Sequence, residues 1–160
     1  MSKELPKRKN IRLQNYDYSS NGLYFVTICT ENKKPILSHI VGDDAHIVPK
    51  KIILKPYGKI VDKYINRINL VYENIFVENY IIMPNHIHML IFIDEYKDGT
   101  MRASSPTKLG SIVKSFKTMV TKEIGFSIWQ RSYYDEIIRD EKHFQYVWNY
   151  IEYNALKEYK

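Results

Sequence analysis

The sequence predicts an α+β fold built as one domain, and three observations carry that expectation. The chain has 160 residues, the size of a single domain with its own core. Short runs rich in β-branched and aromatic residues alternate with segments whose apolar residues return at helical spacing. Their order (strand, ribbon, helix, strand, strand, helix, strand, helix) lets helices cover an antiparallel sheet.

Residues 1–20 are polar and basic, with Lys3, Lys7, Arg8, Lys9 and Arg12, and have too few spaced apolar residues to pack. They are expected to form a basic N-terminal arm, with the domain proper over 21–160. Gly22 opens a run from Leu23 through Phe25 to Cys29 that suits a central strand buried on both faces. Residues 36–41, the turn Gly42-Asp43-Asp44 and a second piece over 51–55 predict a ribbon or hairpin, interrupted by Pro49. Pro56 suits a first helical turn, and Ile60, Val61, Tyr64, Ile65 and Ile68 place one helix face over 57–69 on the sheet.

Residues 75–83 are extended, Pro84-Asn85 breaks them, and 86–93 resume as a strand, giving a hairpin at the sheet centre. Residues 94–107 have loop chemistry and are expected to be the most mobile internal segment. Thr107 is a plausible N-cap for a helix with Leu109, Ile112, Val113, Phe116, Val120 and Ile124 on one stripe, closed by Gly125. Residues 128–138 predict a further strand, and Asp140 a last helix that buries Phe144, Val147, Trp148, Ile151 and Ala155. This order gives a ferredoxin-like split βαβ sandwich, an antiparallel sheet with helices on one face plus a C-terminal helix.

Lys and Arg number 24 against 18 Asp and Glu, a formal net charge of +6, which favours a polyanionic partner, nucleic acid before a membrane surface. The longest apolar runs, over 23–29 and 89–93, fall far short of the roughly 20 residues that cross a bilayer. The basic start has no following apolar stretch, and Cys29 alone cannot form an internal disulfide, so a cytoplasmic home is expected.

The sharpest local signal is Met83-Pro84-Asn85-His86-Ile87-His88. Residues two apart on a strand share a face, so His86 and His88 aim both imidazoles at one point, as a two-armed metal ligand or as a hydrogen-bonded structural pair. On the last helix Tyr150 and Asn154 are four apart and share a face. A tyrosine hydroxyl there can attack a phosphodiester, or its ring can simply rim the core. Tyr133 and Tyr134 are weaker nucleophile candidates, with packing the better reading. Trp129 and Arg131 suit a stacking ring and a phosphate contact, or a core ring and a surface charge. Lys114, Lys117 and Lys122, with the basic arm, can track a DNA backbone or form a solvated face.

Taken in order, the segment over 82–88, Trp129-Gln130-Arg131-Ser132-Tyr133-Tyr134, and Asn149-Tyr150-Ile151-Glu152-Tyr153-Asn154 resemble the single-tyrosine HUH transposases of bacterial insertion sequences. The resemblance is closest to REP-associated tyrosine transposases and spans about residues 15–157. It implies that His86 and His88 bind a divalent metal, Mg²⁺ or Mn²⁺, and that Tyr150 is the nucleophile. The Gln that insertion-sequence members carry four residues after the tyrosine is Asn154 here, as in the REP-associated branch. Glu136 stands where that branch favours His, so the third ligand is left between Asn154 and Glu136. The implied reaction is cleavage and rejoining of single-stranded hairpin DNA through a 5′-phosphotyrosine, by a monomer or a homodimer. The rival readings are a hairpin-binding protein without chemistry and a metal-dependent phosphodiesterase that uses water.

Overall fold

The computed structural model describes residues 22–42, 49–94 and 105–159. The arm expected over residues 1–20 and most of the expected mobile loop, residues 95–104, lie outside the described residues. The sheet strands are β1 (Leu23–Cys29), β4 (Ile75–Ile82), β5 (His86–Ile93) and β6 (Tyr134–Ile137), in the order β4-β5-β1-β6, with every neighbouring pair antiparallel. β2 (Ser38–Val41) and β3 (Lys51–Leu54) form the separate two-stranded ribbon. Helix α1 (Pro56–Val71) connects β1 to β4 across β5, and α2 (Ser105–Ile124) connects β5 to β6 across β1. Two interleaved crossovers of this kind are the split βαβ arrangement expected from the sequence.

Side-chain alternation divides the core in two. Tyr24, Val26 and Ile28 of β1 and Ile87, Met89, Ile91 and Ile93 of β5 face α1 and α2, joined by Val61 and Ile65 of α1 and Ile112 and Phe116 of α2. The other face carries Leu23, Leu90 and Phe92, covered by Phe144, Val147 and Ile151 of the C-terminal helical segment. That segment begins with α3 (Glu141–Asn149), passes through a single π turn (Tyr150–Asn154) and ends as α4 (Ala155–Glu158). Asp140 caps it, its carboxylate accepting from the His143 backbone N–H at 2.7 Å.

Three expectations are corrected. The strand expected over 128–138 is reduced to β6 and an isolated bridge between Thr30 and Trp129. The reason lies between them: the Lys117 ammonium donates to the carbonyls of Gln130 (2.9 Å) and Ser132 (3.0 Å), so that a side chain takes the place of a ladder partner there. Helix α2 begins at Ser105, two residues before the expected cap at Thr107, with Pro106 in its first turn, where a missing N–H is harmless. The C-terminal helix is not α-helical through Tyr150–Asn154, where the Ala155 N–H reaches back five residues to the Tyr150 carbonyl.

β4 also contains one extra residue. Val77 pairs with Ile91, yet Asn79 pairs with the adjacent Leu90, leaving Glu78 as a bulge. The bulge reverses the alternation, so that Ile75, Val77 and Ile82 all reach the core beneath α1 and α2 while Ile81 faces the C-terminal helix.

The first turn of α1 lies against the ribbon so closely that a Cβ on Gly58 would stand 1.9 Å from the Leu37 carbonyl oxygen. That carbonyl is fixed by the Lys55 N–H at 2.9 Å. Gly58→Ala is therefore expected to lower stability by about 2 kcal/mol or more, read as the shift in a urea unfolding midpoint.

Candidate active site

The site lies on the sheet face beneath the C-terminal helical segment. β1 and β5 pair so that Thr27 is opposite His88 and Cys29 opposite His86, which puts these four side chains on one face. Period-two spacing thus places both imidazoles together, as the sequence implied. Their Nε2 atoms are 3.1 Å apart, and the outer nitrogens are fixed: His86 Nδ1 lies 2.6 Å from Asn85 Oδ1, and His88 Nδ1 lies 2.8 Å from Thr27 Oγ1.

These bonds dictate the protonation logic. An amide oxygen only accepts, so His86 carries its proton on Nδ1 and turns the Nε2 lone pair toward His88. If Thr27 donates, His88 keeps a proton on Nε2 and hydrogen-bonds His86. If Thr27 accepts, two lone pairs converge and require a cation between them. Neither ring readily takes a second proton. Burial, then repulsion from His86, pushes the His88 imidazole from its ordinary 6.5 to about 3. Burial, then the Lys33 charge, lowers His86 as well. Both are held as neutral imidazoles, the form that ligates metals.

Tyr150 stands beside them. Its ring meets His88 edge-on with centroids 5.3 Å apart, and Phe25 stacks on His88 at 5.1 Å. Thr27, Cys29, Lys33, Asn85, both histidines, Tyr150, Ala155 and Tyr159 line one open cavity of about 400 Å³. Thr27, Cys29, Lys33 and Tyr159 were not legible as site residues: nothing in the sequence gives the β1–β5 register that brings Thr27 and Cys29 opposite the histidines, and Lys33 and Tyr159 reach the cavity from segments outside the sheet. Asn85 was legible only as a strand break.

Other expected site residues lie elsewhere. Glu136 is not among the cavity-lining residues: its carboxylate pairs with His143 Nε2 at 3.1 Å, on the edge strand beyond β1. The Asn154 side chain lies outside the described residues, and among those described no group of three His, Cys, Asp or Glu converges on one point. Tyr133 lines a different groove and packs on the core beneath α1 and α2, and Tyr134 is two-thirds exposed at the start of β6.

That second groove, about 520 Å³, runs between α2 and the segment preceding β6 and gathers Lys114, Lys117, Lys122, Trp129 and Arg131. Lys114, Lys122 and Arg131 are exposed. The Lys117 ammonium is committed to two backbone carbonyls, and burial lowers its pKa. Trp129 is 5% exposed and packs against Phe116, so most of its ring belongs to the core while one part lines the groove. Among the described residues no helix is long and apolar enough to cross a membrane.

No family model matches the chain. It is 36% identical over 167 residues to an uncharacterized protein of Haemophilus influenzae, covering 93% of this chain and 88% of that protein. It is 26% identical over 154 residues to a second protein of that organism, named "Putative REP-associated tyrosine transposase", covering 91% and 77%. A solved REP-associated tyrosine transposase bound to a REP hairpin matches 86% of this chain and 68% of its own, with a TM-score of 0.57 and 16% identity, a likeness of fold.

The lowered His88 pKa has a consequence for stability. Between pH 6.5 and about 3 the unfolded imidazole takes a proton that the folded one refuses. The contribution is therefore complete above pH 6.5 and is lost as pH falls, at up to about 1.4 kcal/mol per pH unit. Urea unfolding in the presence of chelator should show this slope in the native chain and a flatter one in His88→Gln.

Proposed function

The chain belongs to one family with the uncharacterized Haemophilus influenzae protein and resembles the REP-associated tyrosine transposases, and we propose that it binds hairpin DNA and cuts and rejoins its single-stranded flank through Tyr150. The observation that carries this reading is the meeting of two neutral imidazoles, Nε2 to Nε2 at 3.1 Å, with a tyrosine ring in one open cavity. A structural histidine pair alone would not call for a phenol and an open cavity beside it.

The donor set fits a divalent cation. Two uncharged imidazoles, each held by its outer nitrogen, present converging Nε2 atoms on a rigid strand. His86 and His88 would hold the ion. Nitrogen donors suit Mn²⁺ better than Mg²⁺, which prefers oxygen. When bound, the ion draws negative charge from a phosphate and favours the phenolate.

Tyr150 supplies the nucleophile. Its phenolic oxygen forms a bond to phosphorus as the bond from phosphorus to the 3′ oxygen breaks. The phenolic proton is lost to solvent, and the leaving 3′ alkoxide takes up a proton. The product is a 5′-phosphotyrosine and a free 3′-hydroxyl. The same step run backwards with another 3′-hydroxyl rejoins DNA without ATP, because the phosphotyrosine keeps the phosphodiester's bond energy. Phe25 and His88 confine the Tyr150 ring, so the hydroxyl is presented from a fixed position. The exposed Lys114, Lys122 and Arg131 of the second groove supply sequence-independent phosphate contacts.

Incubation with labelled hairpin oligonucleotides bearing single-stranded flanks, with and without Mn²⁺, tests the reading. Native protein should form a covalent adduct that survives denaturing electrophoresis. Tyr150→Phe should form none while melting at the native temperature, since the change removes one oxygen and keeps the ring. His86→Ala should slow adduct formation by about 100-fold or more and leave hairpin affinity within a few-fold, because phosphate contacts dominate binding. Binding without any adduct in native protein would favour the hairpin-binding alternative, and cleavage without an adduct the water-using phosphodiesterase. An adduct in Tyr150→Phe that Tyr133→Phe lacks would move the nucleophile to the other side of the sheet.

A further inference from the structure

Between β1 and the ribbon the chain makes one 3₁₀ turn, Glu31–Lys33, and inside it two residues that are not glycine adopt left-handed backbone conformations, Asn32 at φ 54° and Lys33 at φ 52°. Asparagine tolerates that region. Lysine does not favour it, and is held there at a cost relative to an ordinary conformation.

Buried hydrogen bonds hold the turn in place. Thr30 is fully buried, and its N–H donates to the Asn85 carbonyl at 2.9 Å. Its hydroxyl lies within hydrogen-bonding distance of the Lys34 carbonyl at 2.8 Å and the Asn85 carbonyl at 3.0 Å. The Glu31 N–H is taken by the Ile128 carbonyl at 2.8 Å. Asn85 is the residue whose side chain also fixes His86. The turn and the histidine strand are therefore one hydrogen-bonded unit, and Lys33 is positioned relative to the imidazoles by the same carbonyl-rich corner.

Lys33 is the one Lys or Arg among the described residues lining the histidine–tyrosine cavity. No carboxylate is paired with it among the described residues, and its charge is felt at both His86 and Cys29. A cation set beside two neutral imidazoles and a phenol, with no anion of its own, is complementary to an anionic ligand in that cavity.

We propose that Lys33 binds a phosphate of the DNA strand at the cavity, next to the phosphate that Tyr150 attacks, and that the left-handed turn serves to present it there. This deepens the reading under Proposed function and rests on it for the identity of the strand. The phosphate contact itself is separable from the chemistry.

The test uses the full chain and a fluorescein-labelled hairpin oligonucleotide with a single-stranded flank. Anisotropy titrations across a salt series, in chelator, are compared for native protein, Lys33→Gly and Lys33→Arg. Glycine relieves the left-handed backbone, so Lys33→Gly should melt at or above the native temperature. Its affinity should nevertheless fall about 3- to 10-fold, and its salt slope should shrink by about 0.7, the loss of one single-strand phosphate contact. Lys33→Arg should keep the native slope. In Mn²⁺, adduct formation by Lys33→Gly should slow by about 10-fold or more.

An unchanged salt slope in Lys33→Gly would overturn the proposal, and so would a lower melting temperature accompanied by native binding, which is the signature of a purely structural residue. If native protein forms no adduct yet Lys33→Gly loses the slope, the phosphotyrosine reading falls and the phosphate contact stands.

Discussion

Burial of β5 on both faces is the constraint on which the site depends. Its odd residues, Ile87, Met89, Ile91 and Ile93, fill the core beneath α1 and α2, and its even residues, Leu90 and Phe92, meet Phe144, Val147 and Ile151. His86 and His88 occupy even positions of the same strand, so they are held within that packed layer and meet solvent only through the cavity. The strand imposes burial, burial imposes neutrality, and neutrality leaves lone pairs that need a partner. Thr27 and Asn85 satisfy the outer nitrogens, and the inner ones are left to each other and to whatever enters the cavity.

Much of this was legible in the sequence, for reasons that differ between elements. The histidines and the main helices were readable because strand alternation and helical spacing are local properties of the chain. The divided strand before β6 was not, because its cause is a lysine on a distant helix that captures two of its carbonyls. Trp129 looked open to two readings, and its contact with Phe116, which puts most of the ring in the core, depends on a helix far away in sequence. Glu136 was on the expected strand, but strand order put β1 between it and the histidines. The bulge at Glu78 leaves a trace that can be read once its meaning is known: apolar residues at 75 and 77 give way to 80 and 82, a change of parity within one strand.

The electrostatic plan separates two tasks. Exposed cations gather along the α2 groove, where solvent screens them and where their effect on a polyanion is additive and sensitive to salt. The cavity instead is lined by uncharged side chains and, among the described residues, by the single ammonium of Lys33. Cys29, which is within electrostatic reach of both Lys33 and Lys117, marks where the two regions adjoin.

The extra residue in β4 and the extra residue in the C-terminal segment meet. Asn79, just after the bulge, donates at 2.9 Å to Glu152 within the π turn. A π turn changes the angular phase of everything after it by roughly 100° relative to an uninterrupted α-helix. Ala155 and Tyr159, which also line the cavity, lie beyond that phase change. Chain length is therefore a site variable in its own right: at this point the number of residues, as well as their identity, sets which side chains look into the cavity.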